Sequence, residues 1–256
     1  MAGSISEMKR VYNYVAPTSP HELMDCSNFT IDFENRKFLN VGFDPKDQFN
    51  IVLQIITPSR YVKISSDFLK RIYSVMGHVL SHVLDPVVKY KKIIFLEDEV
   101  ALLTSMVYKG EHVLVIESKK TNGCRIILSR RDLMTIQDLE WAIFETISRK
   151  NDIVKPIILN QLEQISEYFN TDFNIDKSVT LEEVKTIIKG IHIELIAKHI
   201  PKNNQSFINQ IKLFATEQLA INWMSKNSIK VRIYIYILFI RKSIKHLNSI
   251  RLLMRN

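Results

Sequence analysis

The sequence predicts an α+β protein in which a unit of four antiparallel strands and one helix occurs twice, followed by a region of helices alone. Three observations support this prediction. Apolar positions recur at a constant offset of 64 residues, so that residue 29 matches 93 and residue 86 matches 150. Within each stretch, strand-like alternation gives way to the three- and four-residue spacing of a helix, and from residue 154 only the helical spacing remains. Self-similarity of this kind defines the structural unit before any other feature of the fold.

The two stretches, 29–86 and 93–150, match without an insertion, and the matched positions are apolar in both. In the strand-like part, Phe29, Ile31, Phe38, Leu39, Phe43, Phe49, Ile51, Val62 and Ile64 match Ile93, Phe95, Leu102, Leu103, Val107, Val113, Val115, Ile126 and Leu128. In the helical part, Leu69, Ile72, Val75, Val79, Leu80 and Val83 match Leu133, Ile136, Leu139, Ile143, Phe144 and Ile147. We therefore expect a duplicated unit.

The first unit is expected to hold strands at 29–33, 37–43, 49–56 and 61–64. Turns are indicated by the run Asp44-Pro-Lys-Asp47 and by Pro58-Ser59. Ser65 or Ser66 can cap a helix over 68–84, and Asp85-Pro86 ends it, because the residue before a proline avoids helical backbone angles.

The second unit repeats this order, with strands expected at 93–97, 100–108, 112–118 and 125–128. Lys109-Gly110 and Asn122-Gly123 are turn signals, the latter typical of a hairpin. Ser129 is the expected cap of a helix over 131–149.

The chain is therefore expected to contain a flexible leader at 1–27 and a duplicated domain at 28–150, with repeats 28–87 and 92–150. A helical appendage follows at 154–225, with helices at 157–169, 180–200 and 206–224. Thr180 and Glu183 form the pattern of a capping box, and Pro201 would stop the second of these helices. A basic tail occupies 226–256.

The tail accounts for the net charge of +8, since it carries eight of the 35 basic residues and no acidic ones, which leaves 27 basic against 27 acidic residues elsewhere. The alternating Ile and Tyr residues of 231–240 favour intron read-through over roughly the last 25 residues; the rival interpretation is a genuine amphipathic segment that binds membrane or nucleic acid. Cys26 and Cys124 have no metal-binding neighbours in sequence, which indicates a reduced intracellular protein without structural zinc. No apolar run reaches the length of a membrane span or signal peptide.

The run Tyr108-Lys-Gly-Glu-His-Val-Leu-Val-Ile-Glu-Ser118 resembles the strand-turn-strand of the transcriptional coactivator family called positive cofactor four. Residues 123–129 and the helix with Leu133, Ile136 and Leu139 resemble that family's next strand, turn and helix, whereas the first unit follows it only in element order. The resemblance implies four antiparallel strands and a helix that pairs with its counterpart. Two such units in one chain resemble the Whirly family, which binds single-stranded DNA. The basic stretch between the third and fourth strands is shorter here, at 119–123, and is poorer still at 57–60.

This resemblance implies a non-enzymatic binder of single-stranded or melted DNA, acting in transcription or replication in the nucleus or in a virus or mobile element, with transcription or replication proteins as further partners. It also implies a pseudo-dimer within one chain, with homo-oligomerisation as a further option. We expect no cofactor, no metal and no membrane partner. The alternative is a structural or protein-interaction module that retains the fold and has lost nucleic-acid binding.

Binding a single strand requires cations that track the phosphates and aromatic rings on which bases stack. Strand alternation puts Tyr61, Lys63 and Arg125 on the face opposite the apolar residues of their strands. The candidate nucleic-acid-binding residues are Lys37, Phe43, Lys46, Arg60, Tyr61, Lys63, Tyr108, Lys109, Lys119, Lys120 and Arg125. The competing explanation is that the lysines and arginines are ordinary solvated charges on a half-buried sheet and that Tyr61 packs at the sheet edge.

Other groupings are weaker. His78 and His82 lie four apart on a helix but lack a third ligand nearby, so ordinary helix histidines are the expectation. The acidic run 97–99 is expected to be a solvated turn, and Ser129 with its two following arginines reads equally as a cap or a phosphate site. No nucleophile elbow, P-loop or Rossmann motif occurs, and Trp141 is expected in the core.

Overall fold

The computed structural model describes residues 22–88, 91–120, 124–172, 180–200 and 205–225. The chain divides into two compact units, Met1–Asp152 and Ile153–Asn256. Most of the expected leader, the Asn122-Gly123 turn, Pro201 and the basic tail with its read-through hypothesis lie outside the described residues.

The first repeat forms one antiparallel sheet with its strands in sequence order, followed by two helical segments. Its elements are β1 (Met24–Asp32), β2 (Lys37–Asp44), β3 (Asn50–Ile56), β4 (Tyr61–Ile64), α1 (Ser66–Ser74) and α2 (Met76–Leu84). The sheet begins earlier than the boundary expected at residue 28, because Leu23 and Met24 are buried and Met24 pairs with Phe43 of β2. The end of the expected leader is thus part of the domain.

The second repeat has the same order of elements and a second antiparallel sheet. Its elements are β5 (Ile94–Glu97), β6 (Ala101–Tyr108), β7 (Glu111–Ser118), β8 (Arg125–Leu128), α3 (Arg130–Asp138) and α4 (Glu140–Arg149). The α+β class and the order of four strands followed by helix are therefore confirmed. Both expected caps are present: Ser65 Oγ accepts the N–H of Phe68, and Ser129 Oγ accepts the N–H of Asp132.

Each repeat was expected to hold one uninterrupted helix, and this expectation is wrong. Val75 separates α1 from α2 with φ −103° and ψ 3°, and Leu139 separates α3 from α4 with φ −85° and ψ −4°. The Val75 N–H is shared between the Arg71 and Ile72 carbonyls, at 3.2 Å from each, so the break is a local tightening of the backbone toward 3-10 geometry. The break falls at matching positions of the two repeats.

The gapless match between the repeats also fails, because the third strands align at a different offset. Leu39 pairs with Ile55, whereas Leu103 pairs with Ile116, so Ile55 corresponds to Ile116 at an offset of 61. The cause is a 3-10 turn, Pro45–Asp47, that lengthens the β2–β3 connection, whereas a tight turn with Gly110 at φ 82° joins β6 to β7. A longer β7–β8 connection restores the offset of 64 at β8.

The two repeats share one hydrophobic core, which includes buried residues from both sheets and both helix pairs. The helices of each repeat contact the sheet of the other: α2 contacts β7, α3 contacts β1 and α4 contacts β2. The helices also contact each other, since the Tyr73 O–H donates to the Ile136 carbonyl at 2.8 Å and its ring meets that of Phe144 edge-on at 5.4 Å. Neither repeat completes its own core.

In the described residues of the second unit, every regular element is a helix. It contains α5 (Lys155–Asp172), α6 (Leu181–Gly190), α7 (Ile193–His199), α8 (Gln205–Phe214) and α9, 216–225. The expected capping box of Thr180 and Glu183 is confirmed. The expected helix 180–200 is broken after Gly190, where Ile191 has extended angles, and the helix expected at 206–224 is broken at Ala215. None of the described helices is long and apolar enough to cross a membrane.

Candidate nucleic-acid interface

A groove of about 660 Å³ lies where the edges of the two repeats meet, and five of the predicted residues line it. We define the basic groove by these five: Lys37 at the start of β2, Arg60 before β4, Tyr108 and Lys109 at the β6–β7 turn, and Arg125 on β8. Glu111 is the one acidic residue among the described groove-lining residues. The groove therefore combines cations and a ring from both repeats.

The cations of the basic groove differ in how they are held. Lys109 Nζ lies 5.5 Å above the ring of Tyr108, a cation–π contact, and both residues are exposed. Tyr108 exposes 47% of its surface, enough to offer a ring face to a base. Arg125 is exposed on the outer face of β8, and Arg60 is half-buried.

Lys37 is committed to an internal ion pair at the edge of the basic groove. Its Nζ lies 2.5 Å from Asp132 Oδ2 and donates to the Ile127 carbonyl at 3.1 Å. Asp132 is fully buried, and the same carboxylate accepts the Ser129 N–H at 2.7 Å as part of a capping box. The Asp132 carboxylate balances the charge of Lys37, and the pair links β2 of one repeat to α3 of the other. Ser129 serves as a helix cap here.

A second cavity, of about 490 Å³, gathers the predicted residues Tyr61, Lys63 and Lys120 with two carboxylates, Asp44 and Asp47. Lys63 Nζ lies 2.9 Å from Asp44 Oδ2. Because two lysines and two carboxylates lie in the same cavity, their charges cancel and the cavity does not favour a phosphate group. The remaining predicted cations lie apart from both cavities: Lys46 is exposed on the 3-10 turn, and Lys119 pairs with Glu97 at 2.5 Å on the surface.

Phe43 was expected to accept a base, but it is fully buried and cannot stack. It shares the core-facing parity of β2 with Leu39 and Val41, a signal that was present in the sequence. Lys150 Nζ lies 5.8 Å from the Phe43 ring centroid and donates to the Asp25 carboxylate at 2.7 Å and to the Asp25 carbonyl. Phe43 is thus a core residue beneath a buried ammonium group.

Sequence reasoning missed a polar row on the face of the first sheet opposite the core-facing Leu39 and Val41, of which it identified Lys63 alone. Asn28, Asn40, Gln54 and Lys63 lie opposite one another on successive strands, and Asn28 Nδ2 donates to Asn40 Oδ1 at 2.7 Å. The corresponding row of the second sheet holds Thr104, Val115 and Ile127. The two sheets therefore differ in chemistry on the face that points away from the shared core, although Gln54, Thr104 and Val115 are buried there as well. The residues that form each row are identified by the strand register.

The weaker groupings have structural explanations. Asp98 Oδ1 accepts the N–H groups of Val100 and Ala101, so the acidic run is a turn. His78 is exposed, and His82 packs against His112 with ring centroids 4.4 Å apart. The described residues contain no group of three or more side chains suited to a metal ion.

Trp141 was expected in the core, and this is wrong: 77% of its surface is exposed.

No protein-family model matches the sequence, and no curated protein matches it. The resemblances to the coactivator and Whirly families stay predictions.

Proposed function

We propose that the duplicated domain binds single-stranded or melted DNA in the basic groove, without catalysing a reaction. The observation that carries the proposal is the meeting of Arg60, Lys109 and Arg125 with the exposed ring of Tyr108 in one groove. Three cations can track the phosphates, and the tyrosine ring can stack on a base, worth about 1–3 kcal/mol. The resemblance to the coactivator family adds a proposed role in nuclear transcription or replication.

The proposal gives a definite salt dependence. Besides Lys37, the basic groove carries three cations, Arg60, Lys109 and Arg125, so we count about three phosphate contacts. For a single strand this predicts that log affinity falls with log salt at a slope of about −2 from the groove. The basic tail can add its own contribution, which is why the groove must be tested by substitution in the full chain.

The test measures the binding of a fluorescent oligothymidylate, and of a duplex of the same length, by anisotropy across a series of salt concentrations. The groove variant Arg60→Ala/Lys109→Ala/Arg125→Ala is compared with a control of equal charge loss, Lys70→Ala/Lys189→Ala/Lys198→Ala, whose three lysines are exposed elsewhere. We expect the groove variant to lose about 2 units of slope and most of its preference for the single strand. Equal losses in the two variants would refute the proposal.

Tyr108 separates stacking from charge. Tyr108→Ala is expected to weaken oligothymidylate binding by about 5- to 150-fold without changing the salt slope, whereas Tyr108→Phe keeps the ring and most of the affinity. If both variants bind like the parent chain, the ring has no part in the interface.

A second function, that of a protein-interaction module, is favoured by one observation: two predicted DNA-binding lysines are used inside the fold, in the pairs Lys37–Asp132 and Lys63–Asp44. A folded chain that binds neither oligonucleotide, at low salt, would support this function instead.

A further inference from the structure

An exposed tryptophan lies on the helices of the second repeat, away from the strands that form the basic groove. Trp141 on α4 exposes 77% of its surface, and Met134, seven residues earlier on α3, exposes 48%. α3 and α4 are separated at Leu139, but the i→i−4 bonding continues through that residue: the Leu139 N–H lies 3.1 Å from the Thr135 carbonyl and the Ile143 N–H 2.9 Å from the Leu139 carbonyl. Helical spacing therefore still relates residues on the two sides of the break. Asp138 and Glu145 flank Trp141 at helical spacings of three and four and are also exposed. We call these four residues the Trp141 face.

The fold does not require this face. At the matching positions of the first repeat stand Lys70, Ser74, Gly77 and Ser81, which carry neither a large ring nor an acid. The two helix pairs otherwise begin and break at matching positions. The ring and the carboxylates of the Trp141 face are therefore additions to one repeat and not requirements of packing.

The charge of the face is of one sign. From Leu133 to Ser148 the chain carries Asp138, Glu140 and Glu145 and no basic residue. Among the described residues, no ion pair or hydrogen bond engages the side chains of Asp138 or Glu145. A bare indole between two carboxylates attracts an ammonium or guanidinium group both through the ring face and through the charges.

We propose that the Trp141 face is a docking surface for a basic segment of a partner protein, with an arginine or lysine side chain over the indole and its charge shared by Asp138 and Glu145. The carboxylates repel phosphate, so nucleic acid is not the occupant. An exposed tryptophan surrounded by complementary charge is the kind of residue that dominates the energy of a protein interface. None of the four residues of the Trp141 face lines the basic groove.

The probe is a synthetic amphipathic peptide of arginine, leucine and alanine, and its matched control has glutamate in place of arginine. Binding to the full chain is followed by tryptophan fluorescence and by calorimetry. The fluorescence reports on Trp141, because the tryptophan of α9, Trp223, is buried and donates to the Phe169 carbonyl. We expect the arginine peptide to bind and the glutamate peptide not to bind.

Two variants test the face itself. Trp141→Ala and the pair Asp138→Asn/Glu145→Gln should each weaken arginine-peptide binding at least fivefold, while Trp141→Phe retains part of it. The pair Glu163→Gln/Glu194→Gln removes the same charge from exposed positions of the second unit and should leave binding unchanged. Circular dichroism melting curves verify that each variant is folded.

Three results would overturn the proposal: equal effects of the two amide pairs, peptide binding that survives Trp141→Ala, and self-association of the chain that Trp141→Ala abolishes. A loss of oligothymidylate binding on Trp141→Ala would overturn it as well, since the occupant would then be nucleic acid. The groove variant Arg60→Ala/Lys109→Ala/Arg125→Ala should bind the peptide normally, which distinguishes this docking surface from the proposed DNA-binding function.

Discussion

The Lys37 ammonium group lies 2.5 Å from the Asp132 carboxylate, and this pair joins the second strand of one repeat to the first turn of the other repeat's helix. The pair exists once: Ala101 stands at the position matching Lys37, and Phe68 at the position matching Asp132. The two repeats are thus joined by an asymmetric polar contact, because the residues at the matching positions cannot form a second ion pair.

Removing the Asp132 charge is expected to destabilise the domain strongly. Asp132→Asn leaves the Lys37 ammonium, which is only 15% exposed, without its counter-charge, at a cost of about 3–5 kcal/mol in the free energy of unfolding. The control is Lys70→Ala, which removes an exposed pair with Asp67 and should cost about 0–1 kcal/mol. Urea denaturation measures both, and similar losses would contradict a buried structural role for the pair.

Phe43 is predicted to matter for stability and not for DNA binding. Phe43→Ala should lower the free energy of unfolding by about 3–5 kcal/mol, because it empties a fully buried site. Phe43→Leu should cost less and leave the salt slope of oligothymidylate binding as it is in the parent chain. A selective loss of binding in a stable Phe43→Leu variant would restore Phe43 as a stacking residue.

Two glycines should respond in opposite directions to alanine. A Cβ at Gly42 would lie 2.7 Å from the Leu23 Cβ and 2.9 Å from the Met24 carbonyl oxygen, so Gly42→Ala should destabilise the β1–β2 pair. A Cβ at Gly77 in α2 meets nothing within 4 Å, so Gly77→Ala should stabilise the domain by about 0.5–1 kcal/mol. Thermal melting of both variants checks the prediction, and a shift of the same sign in both would contradict it.

Elements set by local sequence were predictable, and contacts between the repeats were not. The strand β4, the strand β8 and the caps Ser65 and Ser129 follow from alternation and from short-range hydrogen bonds. The pair of Lys37 with Asp132 joins residues 95 apart, and only the packing of one repeat on the other brings them together. The third strands do not match at an offset of 64 because the β2–β3 connection is longer than the β6–β7 connection, whereas the β3–β4 connection is shorter than the β7–β8 connection. The two differences cancel at the fourth strand, so the offset of 64 on either side hides them.

The alternation of side chains between the two faces of a strand predicted part of the candidate site. Parity placed Tyr61 and Lys63 opposite the core-facing residues of β4, as observed, and it would equally have assigned Phe43 to the core. Trp141 was expected in the core, although it lies off the helical stripe of Ile136 and Ile143 that faces the core. Which cations are free depends on partners elsewhere in the chain and is beyond local pattern.

The stability of the domain is expected to fall at mildly acidic pH because of His82. Burial holds the pKa of His82 below its ordinary value of 6.5, the neighbouring His112 lowers it further, and Asp85 acts in the opposite sense. Between the folded pKa and 6.5 the unfolded chain binds more protons than the folded chain. Stability is therefore full above 6.5 and is lost as the pH falls from 6.5 to the folded pKa.

Denaturation midpoints across this pH range measure the effect. His82→Gln should flatten the profile below pH 6.5, and His78→Gln, which changes an exposed histidine of the same helix, should not. An unchanged slope in His82→Gln would assign the acid sensitivity to another group.

The sharing of one core by both repeats has a consequence for synthesis on the ribosome. Val79 and Val83 of α2 are buried, and α2 contacts β7, a strand translated later. At a synthesis rate of about 5–20 residues per second, the next 64 residues take roughly 3–13 s to be translated. During this time the apolar face of α2 is exposed to water. Two repeats made as separate chains would have to associate by diffusion. In the duplicated chain the second repeat is covalently linked to the first, so their association is intramolecular and has a high effective concentration.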